Sequence, residues 1–208
     1  MPDFTPTLEQ EQALALFATG QSFAIEAGAG TGKTSTLVLL AESTPRAGRY
    51  IAFNKAIVTD AGEKMPSNVT ASTAHSLAFR AVGKRFSKRL NSDRMRSDEI
   101  ARRLGVDSYE VTVANVGRKR LAAGFLAGHV MRAVTKFCQT ADPTPTTRHI
   151  AYLDGIDLPD QATGGRTYDN NHEVADYLLP FVRKAWADVS DPDGQLPYRH
   201  DHYLKLWQ

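Results

Sequence analysis

The sequence predicts an α/β protein with a parallel sheet, followed by a long helical segment. Three observations carry that expectation. In the first ninety residues, short apolar or β-branched runs alternate with helical patterns, as parallel βαβ units require. A glycine-rich loop ending in Gly-Lys-Thr lies between one such run and the next helix. After about residue 90 the strand signals stop and helical periodicities continue.

Taken in order, Leu8, Ala15 and Leu16 fall at helical spacing in "TLEQEQALALFA" (7–18), with Thr7 placed to cap. "SFAIEA" (22–27) reads as a buried strand running into the loop, and "TSTLVLLAES" (34–43) as the helix after it. "RYIAF" (49–53) and "NVTAS" (68–72) are bounded by turn formers and predict strands. Helical patterns cover 54–64 and 73–90, where Phe79, Val82, Phe86 and Leu90 line one face. "SDEIARRLG" (97–105) predicts a capped helix stopped by glycine, and 121–139 another helix. A proline-rich loop leads to a last helix over 172–189, bent or broken near Pro180 and ended before Pro192.

The bulk properties exclude several classes. Of 208 residues, 42% are hydrophobic and 23% charged, an ordinary globular composition. No apolar run could span a bilayer, and the opening "MPDFTPTLEQEQ" lacks the basic-then-apolar pattern of a signal peptide. One cysteine, Cys138, excludes an internal disulfide framework and fits a reducing compartment. The expected location is therefore cytoplasmic, with no membrane partner. The net charge of +2 is unevenly spread. Between Arg80 and Arg103 nine Lys/Arg face Asp93, Asp98 and Glu99, whereas between Ile150 and Asp193 nine acids face Arg166, Arg183 and Lys184. A basic block beside an acidic one reads either as a one-sided polyanion surface or as a solvated helix face.

The loop carries the chemistry. Phosphates need several converging backbone N–H donors, and small residues let the chain wrap closely around them. The candidate nucleotide site is Ala27, Gly28, Ala29, Gly30, Thr31, Gly32, Lys33, Thr34 and Ser35. Lys33 would reach the β- and γ-phosphates of ATP, and the Thr34 hydroxyl would take one position on Mg²⁺. Ala27 stands where the strict pattern has glycine. Upstream, Gln10 offers an amide donor and acceptor together, which reading an adenine edge requires.

Taken together, these stretches resemble the UvrD/Rep-like superfamily 1 DNA helicases, most closely the branch that includes the F-box DNA helicases. "LEQEQAL" is similar to the family's glutamine motif and "AGAGTGKT" to its nucleotide loop. "YIAFNKAI" (50–57) and "NVTASTAHSLAF" (68–79) match the next two motifs, and "FCQTADPTP" and "YRHDHYLKLW" resemble stretches of the inserted helical domain and just beyond. The resemblance implies a P-loop NTPase (RecA-like) parallel sheet with an all-helical inserted subdomain: 1–90 as the N-terminal part of the first motor domain, 91–195 as the insertion, and 196–208 returning toward the motor. It also implies ATP and Mg²⁺ as cofactors, and single-stranded or partly duplex DNA as partner. Phe53, Asn54, Lys55, Thr73, His75 and Ser76 are the expected DNA contacts. An aromatic at the end of a strand can stack on any base, and hydroxyl and imidazole groups can donate to the DNA backbone.

The Asp-Glu pair that holds Mg²⁺ and orients the attacking water is expected after the chain's last residues; Asp154 in "IAYLDG" is rejected as its substitute. The expectation is accordingly an incomplete sheet and an N-terminal portion of a 3′–5′ helicase, inactive without its remaining domains. Two other readings compete. "SDEIARRLGVDSYEV" resembles the first helix and turn of a helix-turn-helix, which would make a nucleotide-switched DNA-binding regulator. A small-molecule P-loop kinase would leave 50–57 and 73–76 without purpose.

Overall fold

The computed structural model describes residues 5–90, 94–113, 116–157 and 169–208. Asp93 and the middle of the acidic block, with Asp160 and Arg166, lie outside the described residues. The chain forms two compact units, Met1–Leu77 and Ala78–Gln208.

The first unit is α/β. Helix α1 (Leu8–Ala18) starts at a capping box: the Thr7 hydroxyl accepts from the Gln10 N–H, and the Gln10 amide oxygen accepts from the Thr7 N–H at 3.0 Å. After α2 (Lys33–Glu42), strands β1 (Gly48–Ala52) and β2 (Val69–Thr73) pair in parallel, from Gly48 opposite Val69 to Ala52 opposite Thr73. Parallel neighbours need a crossover. Helix α3 (Lys55–Lys64) supplies it and packs on both strands. Asn68, just before β2, ties this layer to the segment after α2 by donating to the Thr44 and Arg46 carbonyls at 2.8 and 2.9 Å.

The expected buried strand at 22–27 is not formed. Those residues are irregular and largely exposed, with Ile25 at 40%. A strand exists only as a member of a ladder, and among the described residues the ladder of this unit comprises β1 and β2 alone. Apolar content marks a segment fit for a strand but does not supply its neighbour.

Helix α4 (Ala74–Ala81) crosses the boundary between the units. The helix expected to run to residue 90 ends there, and Gly83–Phe86 continues as a single 3-10 stretch. A side chain at position 83 would lie 2.6 Å from Phe79 and 3.0 Å from Tyr203, so the close packing at this break admits only glycine.

The second unit holds a continuous apolar core. Leu126, Val130, Val134 and Phe137 of α6 (Ala123–Cys138) meet Val174, Leu178, Val182 and Val189 of α7 (Asp169–Ser190), all essentially inaccessible. Helix α5 (Ser97–Leu104) adds Ile100, Ala101 and Leu104, while α8 (His200–Trp207) adds Tyr203. Pro180 sits inside α7, which is one continuous helix rather than a broken one. Gly105 ends α5 in the left-handed conformation as expected, but Arg96 at its N-terminus makes no side-chain capping bond.

This unit is not all-helical. Strands β3 (Tyr109–Val113) and β4 (Gly117–Leu121) form an antiparallel hairpin, with Val111, Val113 and Leu121 buried against the helices. Alternating, β-branched Tyr-Glu-Val-Thr-Val suits a half-buried strand and not a helix. The hairpin occupies the place of the supposed recognition helix, so the helix-turn-helix reading fails. The basic run is also partly internal. Arg89 is 7% exposed, donating to Asp188 Oδ1 at 3.1 Å and to the Leu196 carbonyl at 2.8 Å, with its guanidinium 5.0 Å from the Tyr198 ring.

Candidate functional site

Two sets of predicted site residues lie in the first unit. The first is the glycine loop. Gly30 and Gly32 have φ of 77° and 81°, a region where a Cβ is strained. That conformation turns the chain sharply into α2, whose first residue is Lys33. The N-terminal turn of α2 is thereby left with backbone N–H groups and the positive end of the helix dipole, a ready environment for an anion. Within the loop, Thr31 Oγ1 donates to the Gly28 carbonyl at 2.8 Å. Lys33 Nζ donates to the Ala27 carbonyl at 3.0 Å and to the Gly28 carbonyl. The ammonium thus lies over the loop it would share with a phosphate, on loop carbonyls that a phosphate oxygen could replace. Ala27 to Gly30 are exposed, as are Thr31, Lys33 and Ser35, while Thr34 is half-buried.

Gln10 is placed against this loop's helix. It is 8% exposed, and its Nε2 donates to Thr36 Oγ1 at 3.1 Å, which in turn donates to the Gly32 carbonyl at 3.2 Å. Through this chain of bonds Gln10 positions the loop-to-helix turn. Its amide nitrogen keeps one further hydrogen and its oxygen one further lone pair. Thr36 has no motif signal of its own; only the fold identifies it as the link.

The second set sits at the C-terminal ends of β1 and β2. The register sets Ala52 opposite Thr73, so the residues that follow, Phe53 to Lys55 and Ala74 to Ser76, emerge from the same edge of the sheet. Ligands of parallel sheets gather outside this edge. Phe53 is 90% exposed, which excludes a role as a core aromatic. Asn54 caps α3, its Oδ1 accepting from the Ile57 N–H at 2.9 Å, and Lys55 is the exposed first residue of that helix. Thr73 Oγ1 accepts from the Ser76 N–H at 3.1 Å and lies 2.8 Å from Ser76 Oγ. His75 is half-buried and Ser76 exposed. Several of these side chains therefore also set the turns from which they project.

The resembling stretches of the second unit meet each other through packing. Lys205, from "YRHDHYLKLW", donates at 2.7 Å to the carbonyls of Thr140 and Asp142 in "FCQTADPTP" and lies 4.5 Å from the Phe137 ring centroid. Beside them, buried His149 accepts the Thr146 N–H on Nδ1 at 2.9 Å and faces Asp142 with Nε2 at 2.8 Å. With the amide donor at Nδ1, the tautomer that fits is the neutral one carrying its proton on Nε2, toward Asp142. Burial lowers its pKa accordingly. Burial likewise raises the Cys138 thiol to about 12, leaving it inert as a nucleophile. Asp154 lies in a turn. Sequence reasoning passed over "GRKR" (117–120), a cationic run that a count of consecutive Lys/Arg would have found.

Among the described residues, no helix is long and apolar enough to cross a membrane. No protein-family profile matches the chain, and no solved structure does. F-box DNA helicase protein 1 of Schizosaccharomyces pombe is 28% identical over 194 residues, covering 90% of this chain and 20% of that protein. F-box DNA helicase 1 of Gallus gallus is 28% identical over 204 residues, covering 91% and 18%. The chain thus spans about a fifth of the length of the curated relatives it matches, and its similarity to these F-box DNA helicases is distant.

Proposed function

We propose that this chain is the nucleotide- and single-strand-binding portion of an ATP-driven DNA helicase or translocase moving 3′ to 5′, built on a P-loop (RecA-like) motor sheet. The observation that carries the reading is the shared sheet edge. The β1–β2 register brings Phe53, Asn54 and Lys55 beside Thr73, His75 and Ser76, with the Phe53 ring exposed. The relatives' names, both DNA helicases, support it.

The glycine loop fits a nucleotide. Its left-handed glycines and the N-terminal turn of α2 suit a triphosphate, Lys33 supplies the cation, and the Thr34 hydroxyl would hold Mg²⁺. Gln10 would fix the loop and read adenine with its spare hydrogen and lone pair. Phe53 would stack on a base, while Thr73, His75 and Ser76 would contact the DNA backbone. When bound, ATP-Mg²⁺ supplies the hydrolysable phosphoanhydride. Hydrolysis and unwinding are assigned to the longer protein, whose acids and second motor domain complete the cleft.

Lys33→Ala tests the site. It is expected to abolish binding of a fluorescent ATP analogue with Mg²⁺ while leaving oligothymidylate binding intact. Unchanged nucleotide binding in the folded variant would remove the loop from the mechanism.

A further inference from the structure

Among the described residues, strand β4 (GRKRL) is a cationic edge that pairs with β3 alone. Gly117, Arg118, Lys119 and Arg120 are all exposed, and only Leu121 is buried. Its partner β3 is anchored: Val111 and Val113 enter the core, and the Thr112 carbonyl accepts from Asn170 Nδ2 at 2.8 Å. Arg118 and Arg120 lie opposite Thr112 and Glu110 on one face of the ribbon, about 7 Å apart at strand spacing. Lys119 lies opposite Val111 on the other face, yet it stays in solvent. Arg120 is held by Ser108, its Nε donating to Oγ at 2.9 Å. Among the described residues Arg118 and Lys119 have no ion-pair partner, and the one acid directly across the ladder is Glu110.

Three adjacent like charges repel one another, so the folded hairpin carries a local field that an extended anion would relieve. No aromatic of the hairpin is free to stack on a base, since Tyr109 packs on Tyr177 with ring centroids 4.6 Å apart. That distinguishes it from the Phe53 edge. What remains is backbone recognition, and duplex DNA offers the denser charge, about one per 1.7 Å of axis. A two-stranded ribbon also matches the width of the major groove, about 12 Å. We propose that β4 is a contact for the sugar-phosphate backbone of duplex DNA, separate from the single-strand edge in the first unit. It rests on the proposed function only in taking DNA as the polyanion.

The test uses the whole chain, comparing a short blunt duplex with an oligothymidylate by fluorescence anisotropy across a salt series. In Arg118→Gln/Lys119→Gln, which leaves the Arg120–Ser108 bond, the slope of log K against log salt for duplex should flatten by about 2. Duplex affinity should fall at least about tenfold at moderate salt, with oligothymidylate and nucleotide binding unchanged. Lys119→Glu, a single exposed reversal, should weaken duplex in the same selective way. An unchanged duplex slope in a variant with the parent's melting temperature overturns the proposal, as does equal loss on both DNAs. A parent chain that binds oligothymidylate and no duplex overturns it while leaving the proposed function standing. A chain that binds neither DNA defeats both.

Discussion

Residues 78–208 enclose facing stripes of α6 and α7, with Leu126, Val130 and Phe137 against Leu178, Val182 and Val189, all at or near zero exposure. In residues 1–77 the buried positions are scattered and partly polar: Gln10, Ala13, Thr36, Leu40, Ala61, Ser72 and Leu77. There Leu16, Ile25, Leu37 and Ile51 remain substantially exposed, and among the described residues the sheet has two strands, where parallel sheets are ordinarily covered on both faces. The motif residues concentrate in the thinly packed unit, and the dense unit carries few of them. The difference has a physical basis. Under the proposed function, a phosphate or base must meet accessible N–H groups and rings, so segments that bind cannot also be the most buried.

The comparison can be broken most decisively in the core. Phe137→Ala removes a ring packed on Trp186 and His149, and should cost about 3–5 kcal/mol in chemical denaturation. A loss near zero would mean that the second unit is not the stable one. Acid should attack the same unit next. Burial holds His129 and His202 down at about 4, below the ordinary imidazole value, with the charge of Arg132 adding to the effect at His129. Because the folded values are depressed, the unfolded chain binds the extra protons. The stability they contribute is present above about pH 6.5 and is lost as pH falls toward about 4. Thermal melts across that window should show a declining midpoint, and His129→Gln/His202→Gln should flatten the decline.

Smaller effects sharpen the picture of the first unit. Phe53→Ala should weaken single-strand binding by about 1–3 kcal/mol with no loss of thermal stability, since the ring is 90% exposed. A melting-temperature drop with unchanged binding would instead make it a packing residue. Asn54→Ala removes the cap of α3 and should cost about 1 kcal/mol in stability. Asn54→Asp should restore that stability, and DNA binding that fails to return with it would assign the amide a direct contact.

Much of the first unit was legible locally. Thr7 and Gln10 announce a capping box, Gly-Lys-Thr announces a loop entering a helix, and β-branched runs announce β1 and β2 to within a residue or so. What escaped was set by partners distant in the chain. The run at 22–27 has strand composition but no ladder neighbour among the described residues. The Tyr-Glu-Val-Thr-Val segment, which the helix-turn-helix reading would place in or just before a second helix, becomes β3 because Gly117–Leu121 folds back to pair with it. Arg89, counted in a surface charge run, is drawn inside by carbonyls and a carboxylate about a hundred positions away.

By itself, the sequence determined the elements whose signals lie within a turn or two: caps, the glycine-rich loop entering a helix, the α6 and α7 helices, and the order of the stretches that resemble helicase motifs. Tertiary structure decided which of those residues meet. It set Phe53 beside Thr73 through strand register, Gln10 against Thr36, Lys205 over Phe137, and the cations of β4 in solvent. Local propensity depends on neighbours in the chain, whereas register, burial and charge exposure depend on what the rest of the molecule brings to the same place.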